Sequence, residues 1–137
     1  MTLLSILMPV YNEAATVERA IHEATAAELP VEHELVVIDD GSTDGTGNLL
    51  RETSWPDGVR VIEHDRNQGK GAAVRTALSH ARGDIAAILD ADLEYTANDI
   101  AILLSPLLDR STNAVFGYAR STATRATPSC TCSGTEA

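Results

Sequence analysis

Apolar runs alternate along this chain with segments of helical periodicity, and that alternation limits the possible folds more than any other feature. The apolar runs are nearly continuous, as in strands that are buried on both faces. They span residues 3–10, 35–38, 58–64 and 85–89, with a weaker run at 113–117. The helical segments span residues 13–28, 43–53, 69–82 and 98–108. This order predicts an α/β fold in which a mostly parallel sheet lies between two layers of helices.

Polar clusters follow three of the predicted strands. They lie at residues 9–13, 39–42 and 90–92. Because parallel strands end at one edge of their sheet, and ligands of such sheets bind at that edge, we expect these clusters to share one site. Gly41 permits a sharp turn there, and Ser42 or Thr43 is expected to cap the following helix.

The triplet Asp90-Ala91-Asp92 is the sharpest local signal. In extended backbone, residues i and i+2 point the same way, so two carboxylates would face one small volume. Like charges this close repel unless a cation lies between them, and a hard ion such as Mg²⁺ or Mn²⁺ suits carboxylate ligands. Glu94 becomes a third ligand if the extended geometry continues. The alternative is a solvated acidic turn before the next helix.

Four other residues are candidates for ligand contacts at this edge. Asp40 can accept hydrogen bonds from a base N–H or a ribose hydroxyl, and Tyr11 can stack on a planar base that Glu13 also contacts. Lys70 is the only lysine in the chain and lies at a glycine-flanked helix start, which suits a phosphate. The alternatives are turn residues, a first-turn glutamate favoured by the helix dipole, and a surface lysine.

Net charge and composition limit the classes of partner that the chain can bind. The chain has 137 residues, 20 of them acidic and 10 basic, with a formal net charge of −10. This length predicts one domain. The acid excess argues against nucleic-acid binding, which needs a basic face, and against a polybasic membrane patch. A phosphate ligand would therefore need a local cation, either a metal ion or Lys70.

In this order and spacing, the motifs resemble the family 2 glycosyltransferases of the GT-A fold. The matching blocks lie at residues 8–13, 36–46, 67–71 and 89–94, and the likeness extends over about residues 2–117. The Gly-Lys-Gly and Asp-Ala-Asp-Leu-Glu blocks are most similar to the dolichyl-phosphate mannose synthase and polyprenyl-phosphate glycosyltransferase branch.

The resemblance implies a UDP- or GDP-sugar donor, a Mn²⁺ or Mg²⁺ cofactor, and inverting transfer of a hexose to a polyprenyl phosphate. It implies catalytic roles for Asp90 and Asp92, and a metal site made of Asp90, Asp92 and Glu94. The residues implied to bind the nucleotide sugar are Pro9, Tyr11, Glu13, Ile38, Asp40, Lys70, Asp90, Ala91 and Asp92.

The chain departs from the family pattern at its carboxyl-terminal end. From the resemblance we expect the chain to lack the acceptor half of the family, and the arginine of the usual Gly-Ser/Thr-Arg stands one place late, at Arg120. We therefore expect a donor-binding domain over residues 1–120 and an aberrant or disordered tail over 121–137. A frameshift near Tyr118 is one hypothesis for that tail.

Three further expectations follow. The first is a cytoplasmic location, peripheral to the membrane that holds the acceptor. The second is self-association through an exposed sheet edge. The third, an alternative to the enzyme, is an inactive fragment that binds nucleotide sugars. A receiver-type signalling domain is disfavoured, because the acidic pair follows the second strand and the only lysine opens a helix.

Overall fold

The computed structural model of the chain describes residues 2–118 and 129–131. The chain forms two compact units, which divide after Ala97. The first unit contains seven elements in strict alternation: β1 (Leu3–Val10), α1 (Val17–Ala26), β2 (Glu32–Asp39), α2 (Thr46–Glu52), β3 (Val59–Glu63), α3 (Lys70–His80) and β4 (Ile85–Ile88). The predicted order of strands and helices is confirmed.

The first unit is built on a parallel four-stranded sheet in the order β3-β2-β1-β4. The inner strands β1 and β2 are buried from Leu4 and Glu34 onward, which explains their near-continuous apolar sequence. Pro9 lies beyond the last β1–β4 pair, Leu7 with Ile88, so its missing N–H removes no bond on that side.

Helices cover both faces of this sheet. Crossovers between parallel strands are right-handed, so α1 and α2 lie over one face and α3, which leads back across the sheet, lies over the other. Helix α3 packs through Ala73 and Ala77 onto Leu7, Val36 and Ile38. Small alanine side chains let the helix approach the sheet closely. Leu78 does not share this packing, since its side chain is 54% exposed.

Two predicted helices start later than expected. Helix α1 begins at Val17 instead of residue 13, and α2 begins at Thr46 instead of residue 43. The residues in between form loops at the carboxyl end of the sheet. Strand β2 is longer than predicted, since it starts at Glu32 and reaches Asp39.

The amino-terminal end of the sheet is held by a buried polar network around Glu34. Its carboxylate accepts hydrogen bonds from Ser5 Oγ (2.7 Å), the backbone N–H of Arg82 (2.7 Å) and Nη2 of Arg60 (2.9 Å). Ser5 Oγ also accepts a bond from the N–H of Gly83 at 2.8 Å. This network joins three strands to the turn before β4.

The second unit contains a helix, α4 (Ala97–Leu108), whose first residue closes the first unit, and two short strands. Pro106 lies in the last turn of α4. The strands β5 (Phe116–Tyr118) and β6 (Ser129–Thr131) pair antiparallel. Three residues of the segment predicted to be disordered therefore form a strand. The rest of that tail, the predicted boundary at 120 and Arg120 lie outside the described residues.

Within residues 2–118 and 129–131, no helix combines the length and the apolar character needed to cross a bilayer. In the four-stranded sheet, β3 and β4 are the edge strands. Self-association through such an edge stays a prediction.

Candidate functional site

The loops that follow β1 and β2 bind each other at the carboxyl end of the sheet. Asn12 adopts a positive φ of 53°, which asparagine tolerates better than most residues. Its N–H donates to Ser42 Oγ at 2.9 Å, and its Oδ1 accepts from the N–H of Thr43 at 2.8 Å. This reciprocal pair of bonds fixes the first two polar clusters in one arrangement.

A second set of bonds joins the same two loops next to α2. The N–H of Glu13 donates to Thr46 Oγ1 at 3.1 Å, and the N–H of Ala14 donates to Asp44 Oδ2 at 3.3 Å. Asp44 also accepts from the N–H of Thr46 at 3.0 Å. The prediction that Ser42 or Thr43 caps this helix is wrong, because the N-cap residue is Gly45, in left-handed backbone.

Thr16 connects the loop after β1 to the loop after β4. Its hydroxyl donates to the carbonyl oxygen of Ala91 at 2.7 Å and lies 3.2 Å from Oε2 of Glu13. The carboxylate of Glu13 therefore faces a threonine that holds the Asp90-Ala91-Asp92 loop. All three predicted clusters meet at one edge of the sheet, as the sequence predicted.

Asp40 is buried and bound to the loop that leads into α3. Its Oδ1 accepts from Nδ1 of His64 at 2.8 Å and from the N–H of Gln68 at 2.9 Å, and its Oδ2 accepts from the N–H of Gly69 at 2.9 Å. On its far side, Nε2 of His64 lies 2.8 Å from the hydroxyl of Thr76. The side chain of Asp40 is 4% exposed.

These bonds keep the Asp40 carboxylate ionised. Burial alone raises the pKa of this carboxyl, but the hydrogen bonds from His64 and from the backbone of Gln68 and Gly69 outweigh it. The resulting pKa lies below its ordinary value. In this structure the carboxylate therefore holds the start of α3, while the ligand contact predicted for it stays a prediction.

Lys70, the first residue of α3, pairs with Asp90. Its Nζ lies 2.7 Å from Oδ1 and 2.8 Å from Oδ2 of that carboxylate. The two side chains are 60% and 37% exposed, so the pair lies at the surface. This ion pair joins the sequence block at residues 67–71 to the block at residues 89–94.

The geometry assumed for the acidic triplet is wrong in one respect. Strand β4 ends at Ile88, and residues 91–95 form turns, with a positive φ of 66° at Leu93. Oδ1 of Asp92 accepts the N–H of Glu94 at 3.1 Å, which bends the chain. Because the extended backbone does not continue, it cannot align the three carboxylates. The assignment of Glu94 to a metal stays a prediction.

The donor set nevertheless fits a hard divalent cation. The carboxylate of Asp90 already binds one cation, the ammonium of Lys70. Asp92 is an exposed carboxylate on the same loop. Carboxylate oxygens are the ligands that Mg²⁺ and Mn²⁺ prefer. Within the part of the chain that the structure describes, no three acidic, histidine or cysteine side chains converge as a complete metal site.

The predicted contact residues differ in accessibility. Tyr11 is 45% exposed, and Asp92 and Glu94 are exposed as well. The side chains of Pro9, Ile38 and Ala91 are buried in the first unit, so at these positions the main chain is what remains for a ligand.

Sequence reasoning missed the residues that fix the loops, namely Asn12, Thr16, Asp44, Thr46 and the buried His64. Asparagine in a turn is a weak signal for positive φ. For Thr16 and His64 the sequence contains no signal, because their partners lie 75 and 24 residues away along the chain.

A cavity of about 480 Å³ opens beside α2, at the ends of β2 and β3. It is lined mainly by polar side chains, among them Asp39, Arg51 and Asp65. None of the predicted ligand-binding residues lines it.

The sequence of this chain matches a known protein family. The model of glycosyl transferase family 2 matches residues 5–127. This chain belongs to that family. The resemblance inferred from four short motifs is therefore confirmed over most of the sequence.

Two proteins that are similar to this chain have names that refer to polyprenyl phosphates. It is 36% identical over 119 residues to the undecaprenyl-phosphate 4-deoxy-4-formamido-L-arabinose transferase of Pseudomonas fluorescens, covering 84% of this chain and 33% of that protein. It is 34% identical over 119 residues to the dodecaprenyl-phosphate galacturonate synthase of Rhizobium johnstonii, covering 84% and 35%. The chain thus spans about a third of the length of these relatives.

A solved structure shows the same fold. The mannosyltransferase PcManGT of Pyrobaculum calidifontis, in complex with GDP-Man and Mn²⁺, has a TM-score of 0.69 and 35% sequence identity to this chain. The match covers 80% of this chain and 33% of the mannosyltransferase. The predicted α/β fold of GT-A type is thereby confirmed, and the chain corresponds to part of such a domain.

Proposed function

We propose that this chain forms the donor-binding part of a glycosyltransferase that transfers a hexose, with inversion, from a UDP- or GDP-sugar to a polyprenyl phosphate. The observation that carries the proposal is the pairing of Lys70 with Asp90 at the carboxyl edge of the sheet, on the loop that also carries the exposed Asp92. The two polyprenyl-phosphate enzymes and the GDP-Man complex among the relatives support the classes of acceptor and donor.

Each element of the edge has a role in this proposal. Tyr11 offers an exposed ring on which a base can stack. Lys70 supplies the positive charge that a diphosphate requires in a chain of net charge −10. Asp90 and Asp92 would hold Mn²⁺ or Mg²⁺, which when bound stabilises the diphosphate leaving group as a Lewis acid.

Transfer to a polyprenyl phosphate needs little help from a general base in this chain. A phosphate oxygen is already anionic at neutral pH, so it can attack the anomeric carbon without losing a proton. Such an acceptor is held in a membrane, and we therefore propose a cytoplasmic location peripheral to that membrane.

The experiment measures donor binding first and transfer second. Titration calorimetry with GDP-mannose and UDP-glucose, with and without Mn²⁺, should show binding that depends on the metal. Asp92→Asn should weaken metal-dependent binding roughly tenfold or more, since even outer partners of metal ligands have effects of that size. Asp65→Asn removes the same charge from another exposed loop residue and should have little effect.

A second candidate function is donor binding without catalysis. Incubation with radiolabelled donor, Mn²⁺ and undecaprenyl phosphate separates the two candidates. Labelled lipid product supports the transferase, and metal-dependent binding without product supports the binding fragment. If no nucleotide sugar binds in the presence of Mn²⁺, both are wrong.

A further inference from the structure

The Lys70–Asp90 pair has a feature that the proposed function does not use. The ammonium of Lys70 lies between both oxygens of Asp90, at 2.7 and 2.8 Å. A cation that acts on a carboxylate and a diphosphate together would need this same carboxylate. Lys70 therefore occupies one half of the proposed metal site.

The backbone of Lys70 is anchored, whereas its side chain is mostly exposed. The preceding residue, Gly69, donates its N–H to the buried carboxylate of Asp40, which fixes the start of α3. The lysine side chain itself is 60% exposed and ends on a flexible four-carbon stem. The ammonium can leave Asp90 without disturbing the helix that carries it.

The energetics favour exchange over a permanent bond. Exposed ion pairs contribute little to stability, because water and salt screen them and two side chains lose freedom. A divalent ion with carboxylate and phosphate oxygens around it interacts more strongly with Asp90 than an exposed ammonium does. The pair is therefore easily broken when a divalent cation reaches Asp90.

We infer that Lys70 is an exchangeable internal counter-ion: it neutralises Asp90 when no metal is bound, yields that carboxylate to the divalent cation, and then pairs with the donor diphosphate. This inference rests on the proposed function and adds a regulatory step to its site. It implies that Lys70 opposes binding of the metal alone and favours binding of the diphosphate.

These two effects have opposite signs, which makes the inference testable by one variant. Lys70→Met should tighten binding of Mn²⁺ alone by roughly three- to fivefold, the size expected for losing an exposed ion pair. With saturating Mn²⁺, the same variant should bind GDP more weakly. Arg66→Met removes an exposed cation from the same loop and serves as the matched control, with a smaller effect on both measurements.

A second measurement observes the lysine directly. Because Lys70 is the only lysine, biosynthetic labelling with lysine carrying ¹³C at Cε gives one methylene signal in an NMR spectrum. Titration with MgCl₂ alone should move this signal to the position it has in Asp90→Asn, where it should be insensitive to Mg²⁺. Addition of GDP should then move it again as the ammonium meets the diphosphate.

The outcomes separate this inference from the proposed function. If wild type binds Mn²⁺ and GDP but Lys70→Met matches Arg66→Met in both affinities, the inference is overturned while the metal-dependent donor site stands. A lysine signal that stays in place through both titrations also overturns it. If neither wild type nor Lys70→Met binds Mn²⁺, both proposals are wrong.

Discussion

At the scale of single residues, Asp40 shows how one carboxylate positions another loop. It receives three hydrogen bonds from residues that lie 24 to 29 positions further along the chain. Through Gly69 it fixes the start of α3, and therefore the position from which Lys70 reaches Asp90. We regard Asp40 as a positioning residue for the lysine, whatever contact it also makes with a ligand.

Replacing Asp40 by Asn should destabilise the first unit. The amide nitrogen cannot accept a hydrogen bond, so at least one N–H of the loop loses its partner, which costs about 1–3 kcal/mol. Urea denaturation at pH 7 measures the change in unfolding free energy. Asp65→Asn, at an exposed residue of the loop that Asp40 binds, should change it by less than about 0.5 kcal/mol. Equal effects of the two variants would contradict the positioning role.

The low pKa of Asp40 also predicts an acid-dependent difference between wild type and Asp40→Asn. Because its folded pKa lies below the unfolded value of 3.8, the folded chain binds fewer protons, and stability falls as pH falls. The contribution is present above about pH 4 and is lost as pH falls through the folded pKa. The stability gap between wild type and Asp40→Asn should therefore narrow below pH 4. A gap that stays constant from pH 7 to pH 3 would contradict this.

Sequence could predict the place of these residues more readily than their partners. Asp40, Lys70 and Asp90 follow from strand ends and a helix start, which are local patterns. The bonds between Asp40 and His64, and between Lys70 and Asp90, depend on distances set by the whole fold. At Ile38 the family resemblance implied a contact with the nucleotide sugar, but the structure shows that the side chain is fully buried.

At the scale of elements, the loops after β1, β2 and β4 form one connected structure. Asn12 bonds to the second loop at Ser42 through its N–H and at Thr43 through its side chain, and Thr16 bonds to the loop after β4 at Ala91. This explains why α1 and α2 start late: the residues before them are used for loop-to-loop bonds. Helical periodicity does not contain that information, so the helix starts could not be predicted.

Thr16→Val should loosen the acidic loop. Valine keeps the shape of threonine but leaves the carbonyl of Ala91 without its donor at 2.7 Å. Hydrogen exchange of residues 92–95 should become faster, while global stability falls by only about 1 kcal/mol. Thr25→Val is the matched control, because the hydroxyl of Thr25 bonds within its own helix, to His22. Unchanged exchange in the acidic loop of Thr16→Val would show that this bond does not hold the loop.

At the scale of the whole first unit, the two ends of the sheet carry different kinds of polar groups. The carboxyl end carries loops with exposed charged groups, and the amino-terminal end carries the buried network of Glu34, Ser5 and Arg60. The alternation of strands and helices made this division predictable in outline. The Glu34 network was not predictable, because it joins positions 5, 34, 60 and 82 through side chains that look ordinary in sequence.

Glu34→Gln tests whether the two ends are separable. Burial raises the pKa of the Glu34 carboxyl, but bonds from Arg82 and Ser5 and the charge of Arg60 outweigh it, so the native group is an ionised acceptor. Both oxygens of the Glu34 carboxylate accept hydrogen bonds, whereas the glutamine side chain has only one oxygen. Its amide N–H₂ group faces either a backbone N–H or the Arg60 guanidinium, and both of these are also donors. We expect a loss of about 1–3 kcal/mol in urea denaturation.

The corresponding expectation is that ligand affinity does not change. Glu34 lies near the start of β2, paired in register with Ser5, whereas the Lys70–Asp90 pair lies at the far end of the strands. Under conditions where the variant remains folded, calorimetry should give Glu34→Gln the same affinity for Mn²⁺ and GDP as wild type. Glu32→Gln, exposed on the same strand, controls for the lost charge and should leave both stability and affinity unchanged. Weaker GDP binding by folded Glu34→Gln would mean that the two ends of the sheet are coupled, and the donor site would then depend on the whole unit and not on its loops alone.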